Sequence, residues 1–342
     1  MITMARDSRG LLQQDLAFRL GISQGMMSKV ESQEALLNDA LLKKLAKTLN
    51  YKESFFFHKG EYQPTFLSYR RRQKVSSKIL TPIDASINVV RISIEKILRS
   101  LDINSIFPTS GKSAILDPKQ AAIEVRKMWK IPSGPLGSIT AQIESHGILV
   151  LKLEFNTERV DSRTILTTDD IPIIICNTSL LGDRLRFSLA YELGHVILHG
   201  RKHSTPQTDI GHQANLFASE FLMPEAEIRE DLIGDVSIVR LGELKLKWKV
   251  SMQALLYRAN DLGIVSNNQK RYLVGQFNKL GIRRREPKEF DIAQEECSFI
   301  YELFEKYITT KQISIRGMID DLGLTDTDFY SLFPPLKKWQ PT

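Results

Sequence analysis

Leu11-Leu12-Gln13-Gln14-Asp15-Leu16-Ala17-Phe18-Arg19-Leu20-Gly21-Ile22-Ser23-Gln24-Gly25-Met26-Met27-Ser28-Lys29-Val30-Glu31 spells two short helices around one glycine. Leu16, Ala17 and Leu20 recur at helical spacing, Gly21 supplies the left-handed residue that stops a helix, and Ser23 stands where a hydroxyl can cap the next one. Ile22 plugs the turn between them. Such a pair presents the N-terminal side chains of its second helix to a DNA major groove. Gln24 lies where a base reader belongs, because its amide can bond adenine bidentately, and Met26 lies beside it. Lys29 and Arg19 can bond phosphates, and Gln13 at the start of the first helix can clamp the backbone. The plain alternative is a helical hairpin with no ligand. Leu41, Leu42, Leu45, Ala46 and Leu49 supply packing helices for a five-helix domain that ends near Phe55-Phe56-Phe57.

The charge agrees with a polyanion contact at this end. The chain has 342 residues and a net charge of +7, and residues 1–75 hold 13 Lys or Arg against 7 Asp or Glu. That length exceeds what one core usually serves, so several domains are expected. Hydrophobic residues at 42% exclude wholesale disorder. Cys176 and Cys297 stand far apart, which excludes a disulfide framework or a cysteine-rich zinc knuckle and leaves two buried thiols. No leader pattern and no apolar run near the roughly 18 residues of a membrane span occurs, which predicts a cytoplasmic protein without membrane contact. No internal repeat is evident.

Beyond the first domain, Pro64, the run Tyr69-Arg70-Arg71-Arg72-Gln73-Lys74 and Ser76-Ser77 read as a connector, whose arginines either reach phosphates or stay solvated. Ile83, Ile87, Val90, Ile94, Ile97 and Leu101 restore helical periodicity, and Ala121 to Trp129 forms another helix. Ile148 to Leu151, Ile165-Leu166 and Ile171 to Cys176 read as strands of a small mixed sheet with one face buried. The fold class is therefore α+β and mostly α. The divisions are a helix-turn-helix domain over 1–60, a linker and amphipathic helix over 61–110, an α+β domain over 111–235, a helical region over 236–290 and a helical tail over 291–342. In that tail Ala293, Cys297, Ile300, Tyr301, Phe304 and Ile308 share a helical face. Lys245, Lys247, Lys249 and Arg258 make the region 241–265 basic, either a second nucleic-acid surface or a solvated face.

A second informative stretch is Arg184-Leu185-Arg186-Phe187-Ser188-Leu189-Ala190-Tyr191-Glu192-Leu193-Gly194-His195-Val196-Ile197-Leu198-His199. The zinc-peptidase pattern His-Glu-x-x-His sets two imidazoles one helical turn apart on a metal, with the Glu activating water. Glu192 and His195 hold two of those places, and Tyr191 stands at the first. Downstream runs Ala214-Asn215-Leu216-Phe217-Ala218-Ser219-Glu220-Phe221-Leu222-Met223-Pro224. Residues 1–57 resemble the Xre/Cro-type helix-turn-helix family. The later segments resemble the ImmA/IrrE family of zinc-type, zincin-like peptidases, often fused behind an Xre-like domain. Trp129 with Gly134-Pro135, Leu244 to Ala259 and Arg285-Glu286-Pro287 extend that resemblance to about residue 290.

The resemblance implies His, Glu and His on one helix and a Glu three residues before Ala214-Asn215. Tyr191 and Gly211 occupy the first and last of those positions, so catalysis by Glu192 and zinc held by His195 are left without the expected partners. A pseudo-peptidase without a cofactor follows. Zinc is expected only if the site is rearranged, with His195, Tyr191 and His212 as ligands and His203 nearby. His199 is expected to satisfy carbonyls at the helix end, Glu192 to be solvated in a cleft if it has no catalytic role, and Glu220 to be a structural hydrogen-bond partner. The expected partners are double-stranded DNA, a protein partner or substrate such as a repressor, and a second copy in a homodimer. The alternatives are an active zinc endopeptidase that cleaves a repressor and a toxin-antitoxin or mobile-element component.

Overall fold

The computed structural model describes residues 1–60, 62–63, 68–71, 75–104, 117–199 and 209–334. The first helices are α1 (Ile2–Ser8), α2 (Gln13–Leu20), α3 (Gln24–Glu31) and α4 (Asp39–Leu49). Gly21 takes φ 70°, and the Ser23 hydroxyl accepts the Met26 N–H at 3.1 Å, so the turn forms as its residues require. The fifth element is a 3-10 turn, Glu53–Phe57, rather than an α-helix. Asn50 ends α4 in the left-handed conformation, and the Tyr51 and Phe55 rings then stack 4.2 Å apart.

Four strands follow in the order β1-β3-β4-β2: β1 (Ser68–Arg71), β2 (Leu149–Leu153), β3 (Val160–Leu166) and β4 (Pro172–Asn177). β2 and β4 are parallel and the other pairs antiparallel. The sheet is small and mixed, as its strand signals imply, with two corrections. Residues 69–71 of the basic run, expected in a connector, form part of edge strand β1, while Arg72, Gln73 and Lys74 lie outside the described residues. Both faces of the sheet are buried rather than one. Leu149, Leu151, Ile165, Ile173 and Ile175 face a cluster with α5 (Ser77–Ser100) and α14 (Phe299–Lys311), whereas Val150, Ile174 and Cys176 share another with α8 (Gly182–Leu198). Alternation along the strands sends neighbouring apolar residues to opposite sides, which is why a nearly continuous apolar run needed two covers.

Around α8 stand α6 (Pro118–Met128), α7 (Ile139–Ser145), α9 (Ile210–Leu222), α10 (Glu225–Leu232), α11 (Ile238–Trp248), α12 (Met252–Asp261) and α13 (Asn267–Lys279). The basic region on α11 and α12 is not a continuous surface. Lys245 is buried between Asp183 at 2.8 Å and Glu286 at 2.7 Å, and Arg258 is buried in an ion pair with Glu220. Burial of a cation demands such partners, and the carboxylates to supply them lie far off in sequence.

The tail helix begins at Phe299, later than its apolar spacing suggests. Ala293 and Cys297 precede it because the chain there is strapped to the body: Glu295 pairs with Arg186 and accepts the Thr140 N–H at 2.7 Å. Glu144 accepts the N–H groups of Ser298 and Phe299 at 3.1 and 3.3 Å, fixing where α14 starts. After it come α15 (Ile315–Asp321) and α16 (Asp326–Leu332), which lie against the N-terminal helices. Arg9 grips both oxygens of Asp328 at 2.9 and 2.6 Å, and the Lys52 N–H donates to the Gly323 carbonyl at 3.1 Å. Leu322-Gly323-Leu324-Thr325 repeats the turn of Leu20-Gly21-Ile22-Ser23. Gly323 also has φ 70°, and Thr325 caps α16 as Ser23 caps α3. The two turns share this local device.

No helix among the described residues is long and apolar enough to cross a membrane.

The turn at Gly323 yields a controlled comparison. Gly281 has φ 71° with nothing near its missing Cβ, whereas a Cβ on Gly323 would stand 2.7 Å from the Phe55 backbone. Gly281→Ala should cost about 1 kcal/mol in a denaturation experiment, from the left-handed backbone alone. Gly323→Ala should cost clearly more, and equal costs would show that the tail need not approach so closely.

Glu144 yields a second expectation. Burial pushes its carboxyl up to about 7 from 4.5. The folded chain then binds the extra proton between those values, so this group makes stability fall as pH rises from 4.5 to about 7. Glu144→Gln should flatten that part of the stability curve, and an unchanged slope would rule Glu144 out as its source.

Candidate functional site

Two places carry candidate chemistry. The first is the outer face of α3. Met27 and Val30 are buried against α2 and α4, which turns Gln24, Met26 and Lys29 outward, and Arg19 on α2 is exposed beside them. Gln24, Met26, Lys29 and Arg19 are thus each exposed. Gln13 is half-buried: its amide donates to Glu31 at 2.9 Å and Arg6 clamps the same carboxylate at 2.6 Å. That network ties α1, α2 and α3 together, so Gln13 acts first as a strut.

The second place lies between α8 and α9. Residues 191, 195 and 199 stand one turn apart on α8 and face α9. The rings of Tyr191 and His195 meet edge to face at 4.7 Å, and Gly211 on α9 approaches so closely that a Cβ there would lie 3.4 Å from the Tyr191 hydroxyl. The fold therefore brings together the first, second and last positions of the implied ligand set, although they hold Tyr, His and Gly.

His195 Nδ1 is 3.0 Å from His199 Nδ1, and His199 Nε2 is 2.9 Å from Gln213 Oε1. Because Oε1 accepts, His199 carries its hydrogen on Nε2 and takes one from His195 through Nδ1. His195 then keeps a lone pair on Nε2, which is buried and has no hydrogen-bond partner among the described residues. Burial holds the ring neutral, with its pKa down to about 3, and lowers that of His199 as well. His199 thus orients His195, not the terminal carbonyls as its place at the helix end implied.

Glu192 looks the other way. It is fully buried, and its two oxygens accept the hydroxyls of Ser162 and Thr164 on β3, each at 2.7 Å. It is not solvated in a cleft, because α8 lies flat on the sheet. His212 is exposed near the start of α9, where its N–H meets Asp209, and does not join His195. His203 lies outside the described residues. Glu220 is the structural partner its surroundings suggest, paired with Arg258 and accepting the Glu225 N–H at 3.0 Å.

A zinc ion would need three such donors, and no group of three His, Cys, Asp or Glu side chains converges among the described residues. Among the described residues the donor set does not fit the metal. Sequence reasoning missed Ser162, Thr164 and Gln213, the residues that settle where Glu192 and His199 point. No local signal marked them, because Asp161 to Thr164 form an unbroken polar run.

Comparison with known families now bears on both places. The helix-turn-helix family model matches residues 2–56, and the IrrE N-terminal-like domain model matches residues 143–260. No curated protein matches the chain.

The α3 surface can be tested directly. Gln24→Ala should relax base preference at one position by about 1 to 3 kcal/mol, and Lys29→Ala should weaken binding to all duplexes while lowering the salt dependence. Footprinting and salt titration of the full chain on its own upstream DNA read both effects. Loss of neither preference nor affinity would move the DNA contact elsewhere.

Proposed function

From a chain that joins an Xre-like helix-turn-helix domain to an ImmA/IrrE-type domain, we propose a DNA-binding regulator whose second domain does not cleave peptides and serves as a sensor that binds a protein partner. The observation that carries the inactive reading is the position of Glu192. A carboxylate that activates water must face the site, and this one is spent on Ser162 and Thr164 beneath the helix. Tyr191 and Gly211 in the ligand positions support the same reading, since a phenol is a poor ligand at neutral pH and glycine has no side chain. A homodimer on paired half-sites suits the helix-turn-helix geometry.

The buried lone pair on His195 Nε2 favours a second reading, an active zinc endopeptidase that takes its remaining ligands from outside the described residues. Metal content separates the two.

The wild-type chain, purified without chelator, should hold far less than one zinc. Gly211 has an ordinary backbone conformation and room for a side chain beside Tyr191. Tyr191→His with Gly211→Glu should therefore rebuild the ligand set, and the two changes should be cooperative because one added donor gives little chelate affinity. Zinc bound stoichiometrically by wild type, or proteolysis lost in Glu192→Gln, would establish the endopeptidase instead.

A further inference from the structure

Besides the DNA-reading face and the α8–α9 cleft, the fold forms a further cleft where two turns meet one face of a helix. The turn between α10 and α11, residues 234–238, lines one part of it, and α13 lines another through Tyr272, Leu273 and Gln276. Ile264 and Val265, in the turn between α12 and α13, also line it. Both turns are braced: the Asn260 amide donates to the Val265 carbonyl at 2.8 Å, and the Ser237 hydroxyl accepts the Arg240 N–H at 3.3 Å. The cleft encloses about 450 Å³, within the range of small-molecule sites. Its α13 side lies beyond residue 260, where the IrrE-like match ends.

The lining has one consistent chemistry. Val236, Ile238, Ile264, Val265 and Leu273, all half-buried or buried, give it an apolar surface, and Asp235 is the one charged side chain among the residues that line it. Asp235, Tyr272 and Gln276 have no side-chain hydrogen-bond or ion-pair partner among the described residues, whereas Gln269 is engaged in capping α13. The cations next to Tyr272 in sequence are spent elsewhere. Lys270 donates to Asn260 and lies over the Tyr257 ring, and Arg271 bonds Asn268 at 2.6 Å. Tyr272 itself is 67% exposed, so its ring is available to a ligand. A free carboxylate and the negative face of an aromatic ring both attract positive charge, and the apolar residues attract hydrocarbon.

We propose that this cleft binds a small organic ammonium ion, with its hydrocarbon body on Val236, Ile264 and Leu273 and its cationic head beside Asp235 and Tyr272. An inorganic cation would gain nothing from the apolar residues, and an anion would be repelled by Asp235. The site gives the regulator a place for a chemical signal. It goes beyond the partner-binding reading of the second domain and does not depend on whether that domain cleaves peptides.

Titration of the full-length chain with 2-phenylethylammonium, followed by saturation-transfer NMR on the ring protons of the ligand, tests this. The cation should bind saturably and about tenfold more tightly than 3-phenylpropionate, which carries a carboxylate on the same skeleton. Asp235→Asn should weaken the cation at least about fivefold and leave neutral 2-phenylethanol unchanged. Tyr272→Leu, which keeps an apolar side chain, should weaken the cation about two- to fivefold. Both side chains are exposed, so the variants should melt and bind DNA as wild type does. The proposal is overturned if wild type shows no saturable binding, if the carboxylate binds as tightly as the cation, or if either variant binds the cation undiminished.

Discussion

A polar strand buried on both faces sets the terms for the rest of the molecule. All seven residues of β3 are buried, and four of them in succession are Asp161, Ser162, Arg163 and Thr164. Each must find a counterpart, because an unmatched polar group in a core costs several kcal/mol and an unmatched charge more. Arg184 on α8 supplies two bonds to Asp161, Glu192 on α8 takes the two hydroxyls, and Asp84 on α5 lies 3.2 Å from Arg163. Those contacts fix α8 on one side of the sheet and α5 on the other. The α8–α9 cleft and the covered sheet follow from them.

Buried ion pairs extend the same logic outward. Lys245 with Asp183 and Glu286 holds α11 to α8, and Arg258 with Glu220 holds α12 to α9. Pairs of this kind add little net stability over apolar packing, but removing one partner strands the other charge. Between those pairs, positions 191, 195 and 211 meet in the cleft, where they hold Tyr, His and Gly.

Legibility in the sequence followed locality. The α2–α3 turn was readable because Gly21 and Ser23 act on their own neighbours, and the spacing of α8 was readable because a helix repeats within a few residues. What could not be read rests on distant partners. β3 was seen only at Ile165-Leu166, since Asp161 to Thr164 look like a loop until their counterparts on α5 and α8 are known. Lys245 and Arg258 looked like surface charge for the same reason. β1 was hidden because strand pairing, and not composition, makes a strand of an arginine run. The candidate site was half legible: its helix and its missing ligands could be named, but the direction of Glu192 depended on β3.

The contact of α15 and α16 with the N-terminal helices also bears on how the molecule is made. Tyr51 and Phe55 share a core with Phe304, Phe329 and Phe333, nearly three hundred residues later in synthesis. A chain emerging from the ribosome finishes its DNA-reading helices early, yet their apolar underside stays uncovered until the last of these aromatics has been made. Nascent chains would therefore carry an apolar patch that chaperones can hold. The first and last helices of the described residues, α1 and α16, are thereby parts of one core.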